Sequence, residues 1–177
     1  DTFLFVQVDN PLPIINRTFL GLHLTKGADY TIALVEKRDR KEDLGMIAID
    51  TITGRKLYIE YNQPAAVIVR DRKDFGYGSI NRNIFSISFL SAVEDPPFHM
   101  VRGKKAMIYK GGSVQKGDID KFERFVFDNL DLARHAICVG LPREECFAAF
   151  KEMTGPDSPE AVGRALSNYD KMIIARA

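Results

Sequence analysis

A chain of 177 residues, 45% apolar and 28% charged, has the size and composition of one globular domain that needs no metal or disulfide staple. No apolar run exceeds five residues (Ala65 to Val69), far short of the ~18 residues that a membrane-spanning helix needs. Net charge is +1, but nine Lys/Arg against four acids between Arg70 and Lys116 leave that stretch at +5, which permits an anionic partner.

Thr2 to Val8 is aromatic and β-branched and reads as a strand that ends at Pro11 and Pro13. Ile14 to Leu24 carries both periods, and the alternation in Leu20-Gly21-Leu22-His23-Leu24 predicts a strand for its second half. Asn16-Arg17-Thr18 is a glycosylation sequon, meaningful only in an exported chain. Tyr30 to Val35 is the next strand, and Glu36 to Asp43, all charged, reads as a solvated hairpin tip. Leu44–Thr51 and Arg55–Tyr61 flank Thr53-Gly54 as a hairpin. Ala65–Arg70 reads as a central strand and Ile84–Val93 as another. Phe98–Arg102 and Ala106–Tyr109 form a pair about Gly103-Lys104.

Ile119, Phe122, Val126, Leu130, Ala133 and Ile137 recur at three- and four-residue steps. That spacing predicts one long amphipathic helix over Asp118–Gly140, capped by Asp118. Pro142 opens a second helix with Cys146, Phe147, Phe150 and Met153 on its apolar side. A third runs from Pro159 to about Asn168, and Met172–Ala175 closes as a short strand. The expected fold is therefore a single α+β domain. A curved antiparallel sheet of seven to nine strands (residues 2–110) packs on the long helix (118–140), followed by two shorter helices. The first 113 residues are mainly β and 114–177 mainly helical.

The segment from Arg70 to Asn83 draws attention to nucleic acid. Arg70, Arg72, Lys73 and Arg82 supply charge, and Phe75 and Tyr77 stand in the basic-then-aromatic order of base-stacking strands. The pattern is degraded, with Asp74 and Gly78 where such motifs want glycine and an apolar residue. Gly76-x-Gly78-x-x-Asn81 fails as a dinucleotide fingerprint, because a strand follows it instead of a helix. Gly111-Gly112-Ser113 reads as a flexible connection more readily than as an anion nest.

His23, His99 and His135 share no metal-ligand spacing, and no metal or cofactor site is expected. A helix on a sheet leaves room for a cavity near Phe85, Ile87, Phe89, Phe125 and Leu132, with His99, Arg102 and Tyr109 as polar contacts. His99 as general base would take Asp95 or Glu94 as its orienting carboxylate. The common lipase, zincin, P-loop and CxxC patterns are all missing.

The leading expectation is a non-catalytic binding or assembly module acting through a protein partner or self-association. An enzyme or apolar-ligand carrier using the helix–sheet cavity is the alternative, and single-stranded nucleic-acid binding through Arg70–Arg82 is a third. Cys138 and Cys146 are too few for a secreted disulfide framework, and no signal peptide is legible, so the expected setting is cytoplasmic.

Overall fold

The computed structural model describes residues 1–12, 16–69 and 72–176. They form two compact units, Asp1–Ala92 with Leu130–Ala177, and Val93–Asn129. In chain order the elements are β1 (Thr2–Phe5), α1 (Arg17–Lys26), β2 (Tyr30–Glu36), β3 (Met46–Ile49), β4 (Lys56–Ile59), α2 (Pro64–Val69), β5 (Tyr77–Ser86) and α3 (Ile87–Ala92). The second unit contains β6 (His99–Lys110) and β7 (Ser113–Glu123), and the chain then adds β8 (Ala136–Gly140), α4 (Arg143–Cys146) and α5 (Pro159–Arg176) to the first.

The first unit is built on a four-stranded mixed sheet in the order β1-β5-β2-β8. β1 and β2 pair antiparallel with β5, and β8 runs parallel to β2, with Tyr30 opposite Ala136 and Leu34 opposite Gly140. The centre of β2 is buried throughout, as expected for a strand covered on both faces. Phe19, Ala33, Val35, Leu44, Ile80 and Ile84 form its main apolar cluster with residues of the segment after β8. Tyr30 and Phe85 add a ring pair at 4.4 Å between centroids. β3 and β4 make the hairpin expected about Thr53-Gly54. Asp50 Oδ1 accepts from the Ile52 and Thr53 amides, and Gly54 takes a φ of 73° that closes the turn. Asp131 clamps this hairpin, accepting from Arg55 Nε at 2.8 Å and the Lys56 amide at 2.9 Å.

In the second unit β6 and β7 form one long antiparallel hairpin turning at Gly111-Gly112, with φ values of 61° and 80°. Gly103 does not turn the chain as the sequence implies. It sits in β6, φ 64°, where one extra residue between Val101 and Lys104 makes a bulge.

The curved sheet of seven to nine strands is thus replaced by a four-stranded sheet and two hairpins. The long helix is absent as well. Its span holds the end of β7, a 3-10 turn at Val126–Leu132, and β8. Short apolar runs satisfy both periods, and the ladder with β2 outweighs the local helical spacing.

Leu20–Leu24 lies in helix α1, which Asn16 caps by accepting from the Phe19 amide at 2.9 Å and Gly27 ends in a left-handed conformation. The predicted strand at Ala65–Arg70 is α2, opened by Pro64, while Arg70 lies outside the described residues, as do Ile14 and Ile15. β5 begins at Tyr77 and gives way at Ile87 to a helix. The helix after Pro142 is one turn, and α5 runs on through Met172–Ala175 where a strand was expected. Among the described residues no helix is long and apolar enough to cross a membrane.

Candidate functional site

The irregular point of the sheet is in β5. Asn83 faces Ile32 and Ser79 faces Leu34, so Ile80, Asn81 and Arg82 stand against Ala33 alone. A bulge of this size re-aims side chains, and such bulges concentrate beside binding sites. Asn81 is the non-glycine residue with positive φ, 50°, among the described residues. Its amide donates to Ser79 Oγ at 3.2 Å and its Oδ1 accepts from Asn83 Nδ2 at 3.1 Å, so the turned-out conformation is held from both sides.

The β3–β4 hairpin closes on this bulge. Ser79 donates its amide to the Gly45 carbonyl at 2.7 Å. Two glycines make the approach possible. A Cβ on Gly45 would lie 2.3 Å from the Tyr58 hydroxyl, and one on Gly78 would lie 2.4 Å from the Leu44 Cβ. Between hairpin and bulge lies a small cleft of about 70 Å³. Asp43 and Glu60 bring carboxylates to it, Ser79 and Asn81 a hydroxyl and an amide, and Tyr58 and Tyr61 phenols. Lys151 reaches its rim, with no ion pair of its ammonium among the described residues.

Burial, then the Glu60 charge, pushes the Tyr58 phenol above its ordinary pKa, with a Ser79 hydrogen bond acting the other way. Burial also raises Tyr61, reinforced by Asp43 and then Glu60. Both phenols therefore stay protonated donors at neutral pH, beside carboxylates that act only as acceptors. Acceptors, donors and a half-exposed ring on one wall suit a polyhydroxylated ligand such as a sugar.

The residues singled out from sequence do not assemble. Arg72 pairs with Asp74 at 3.4 Å and Lys73 is exposed, while Phe75 packs on the apolar cluster under β3, β4 and α2. Arg82 is 2% exposed, with Nη2 on the Leu12 carbonyl at 3.5 Å and Nε and Nη1 without a hydrogen-bond partner among the described residues. Tyr77 is half exposed, but it faces a different cavity. Among the described residues Arg72, Lys73, Phe75, Tyr77 and Arg82 thus share no basic, ring-bearing strand face, and Arg70 lies outside them.

His99, Arg102 and Tyr109 all lie on β6, whose rise separates the first and last by roughly 33 Å, too far for one small ligand. His99 Nε2 meets Asp128 at 2.7 Å rather than Asp95 or Glu94, the carboxylates expected beside it, and Asp95 pairs with Arg124. The helix–sheet cavity is missing with its helix, and Phe85 is fully buried against Tyr30 and Phe89.

Sequence reading passed over the cleft residues because they come from several distant segments. Asp43 ended a charge run read as solvated, and Glu60-Tyr61 closed the predicted hairpin strand Arg55–Tyr61. The legible signal was the polar run Ser79-x-Asn81-Arg82-Asn83 directly before the apolar Ile84-Phe85.

No known family profile matches the chain. A Caenorhabditis elegans protein named "Probable UDP-N-acetylglucosamine pyrophosphorylase" is 27% identical over 184 residues, 96% of this chain and 37% of the relative. A provisionally named UDP-N-acetylglucosamine pyrophosphorylase from Entamoeba histolytica superposes with a TM-score of 0.76 and 22% identity, over 94% of this chain and 44% of that one. The Trypanosoma brucei UDP-N-acetylglucosamine pyrophosphorylase, solved with an inhibitor, gives 0.69 and 19%, over 93% of this chain and 34% of that one. The expectation of a non-catalytic module working through a protein partner or self-association is overturned, since these relatives carry the names of enzymes for a nucleotide sugar. The chain has the fold of a segment of UDP-sugar pyrophosphorylases and spans less than two fifths of the curated relatives it matches, 37% of the Caenorhabditis elegans protein.

Proposed function

We propose that this chain forms the sugar-recognising part of an enzyme that makes or cleaves a UDP-N-acetylhexosamine. In the forward direction a phosphate oxygen of an N-acetylhexosamine 1-phosphate attacks the α-phosphorus of UTP. The bond from that phosphorus to the β-phosphate oxygen breaks, and pyrophosphate leaves. The observation that carries the reading is the cleft on the β5 bulge, where Asp43, Glu60, Ser79 and Asn81 converge on one small space. Carboxylates accept from sugar hydroxyls, the Asn81 amide recognises a carbonyl or hydroxyl, and Tyr61 offers a ring to the C–H face of a pyranose. Lys151 at the rim supplies a cation for an attached phosphate. A volume of about 70 Å³ takes one edge of the sugar, leaving the nucleotide outside it. Both cysteines are free, which supports a cytoplasmic setting for this activity.

Calorimetric titration with UDP-N-acetylglucosamine tests the proposal. Glu60→Gln is expected to weaken binding about tenfold, equivalent to ~1.4 kcal/mol, and Asn81→Ala by a similar factor. Affinity unchanged in both variants, with folding intact by circular dichroism, would sink it.

A further inference from the structure

The far end of the β6–β7 ribbon is basic and apolar at once. From Lys104 to Gly117 it carries Lys104, Lys105, Lys110 and Lys116 and no acid, in a chain whose net charge is only +1. Directly opposed residues of an antiparallel ladder point to one side, and alternate residues along each strand return to it. The pairs Lys105–Asp118, Met107–Lys116 and Tyr109–Val114 therefore share one face of the ribbon. Ile108 belongs to the other face, where it folds over Gly117 so closely that a Cβ there would lie 2.4 Å from Ile108 Cδ1. Ile108 thus finds apolar cover within the ribbon, whereas Met107, Tyr109 and Val114 stay exposed together.

Charge around that open face is unbalanced. Lys105 pairs with Asp118, but the ammonium groups of Lys104, Lys110 and Lys116 have no ion pair among the described residues. Lys116 stands opposite Met107, and Lys110 follows Tyr109 into the turn. Long lysine stems let the ammonium stay at headgroup level while apolar neighbours go deeper, and a tyrosine ring settles in that same interfacial layer. Tyr109 and Val114 each lie two residues from a turn glycine, Gly111 or Gly112. Strand rise makes that roughly 7 Å, which matches the ~5–10 Å depth of a segment lying in a bilayer interface.

We infer that this end of the ribbon docks on a bilayer surface carrying anionic phospholipid, with Met107, Tyr109 and Val114 below the headgroups and Lys104, Lys110 and Lys116 on their phosphates. Charge complementarity selects the occupant. A nucleic-acid strand would answer the lysines but leave Met107 and Val114 in water, and a lone ring is no row of stacking platforms. A second copy would set lysines against lysines across a two-fold contact. The inference goes beyond the sugar cleft and does not depend on it, since no residue of the ribbon lines that cleft.

Co-sedimentation of the 177-residue chain with vesicles is the test. One set holds equal parts of phosphatidylcholine and phosphatidylserine, the other phosphatidylcholine alone. The chain is expected to sediment with the anionic vesicles and not with the neutral ones, and added salt should release it. Tyr109→Ser and the double variant Lys110→Gln with Lys116→Gln should each weaken partitioning about tenfold, with thermal melts matching the parent. Lys26→Gln, at an exposed lysine of α1, should change nothing. The inference is overturned if anionic vesicles do not hold the chain, if neutral ones hold it equally, or if both ribbon variants partition as the parent does. A single-stranded oligonucleotide bound more tightly than vesicles, and lost in the lysine variant, would overturn it in favour of nucleic acid. A dimer in light scattering that Tyr109→Ser dissolves would overturn it in favour of a second copy.

Discussion

Gly78 shows how a single hydrogen atom fixes the approach of hairpin to sheet. Its missing Cβ would lie 2.4 Å from the Leu44 Cβ, an atom that moves only with the backbone. Gly78→Ala is therefore expected to lower unfolding free energy by about 1–3 kcal/mol in urea titration, and a neutral result would contradict the packing. Nothing in the sequence reading distinguished this glycine from a flexible one.

His23 carries a second residue-scale consequence. It is 2% exposed, its Nδ1 lies 2.8 Å from Thr31 Oγ1, and burial holds its pKa below 6.5 despite Asp29. The unfolded chain takes up a proton near pH 6.5 while the folded one still excludes it. Stability from this group is thus complete above that pH and declines as pH falls toward the lower folded pKa. Melting temperature should drop between pH 7.5 and pH 5, and His23→Gln should flatten the drop. An equally steep decline in the variant would assign the effect elsewhere.

Among the elements, the bulged β5 contributes Ser79 and Asn81 to the proposed sugar cleft. Asn81 holds a φ of 50°, which glycine adopts freely and β-branched residues resist. Asn81→Gly is expected to leave stability within about 1 kcal/mol while weakening UDP-N-acetylglucosamine binding. Asn81→Val should cost of order 1–3 kcal/mol in stability. Equal stabilities for the two, by chemical denaturation, would remove the strain argument.

The β3–β4 hairpin was legible because its turn is local, with Asp50 and Gly54 supplying the chemistry. α1 was misread although its Asn16 cap and Gly27 stop were present, because Leu20 to Leu24 alternates like a strand. The bulge could not be read at all. It exists only as a register difference between two strands more than forty residues apart.

At the scale of the molecule, the two units differ in how their strands are covered. β2 and the greater part of β5 are buried, whereas β6 and β7 are mostly exposed, with Met107, Tyr109 and Val114 each more than 60% accessible. A two-stranded ribbon with little apolar cover is marginal by itself. Backbone amides of β6 and β7 should exchange with deuterium well before those of β2 and β5, as hydrogen-exchange mass spectrometry would show. Equal protection would mean that the ribbon is as firmly held as the sheet.

The sequence alone determined an α+β chain with strands within Thr2–Val8 and Tyr30–Val35 and a hairpin about Thr53-Gly54, because strand propensity and turn chemistry act between neighbours. Tertiary structure decided the rest. It made Ala136–Gly140 a strand by pairing it with β2, buried Arg82, packed Phe75 against the Met46–Ile59–Ala66 cluster, and drew Asp43, Glu60 and Asn81 into one cleft. Those outcomes depend on contacts between segments that no local pattern encodes.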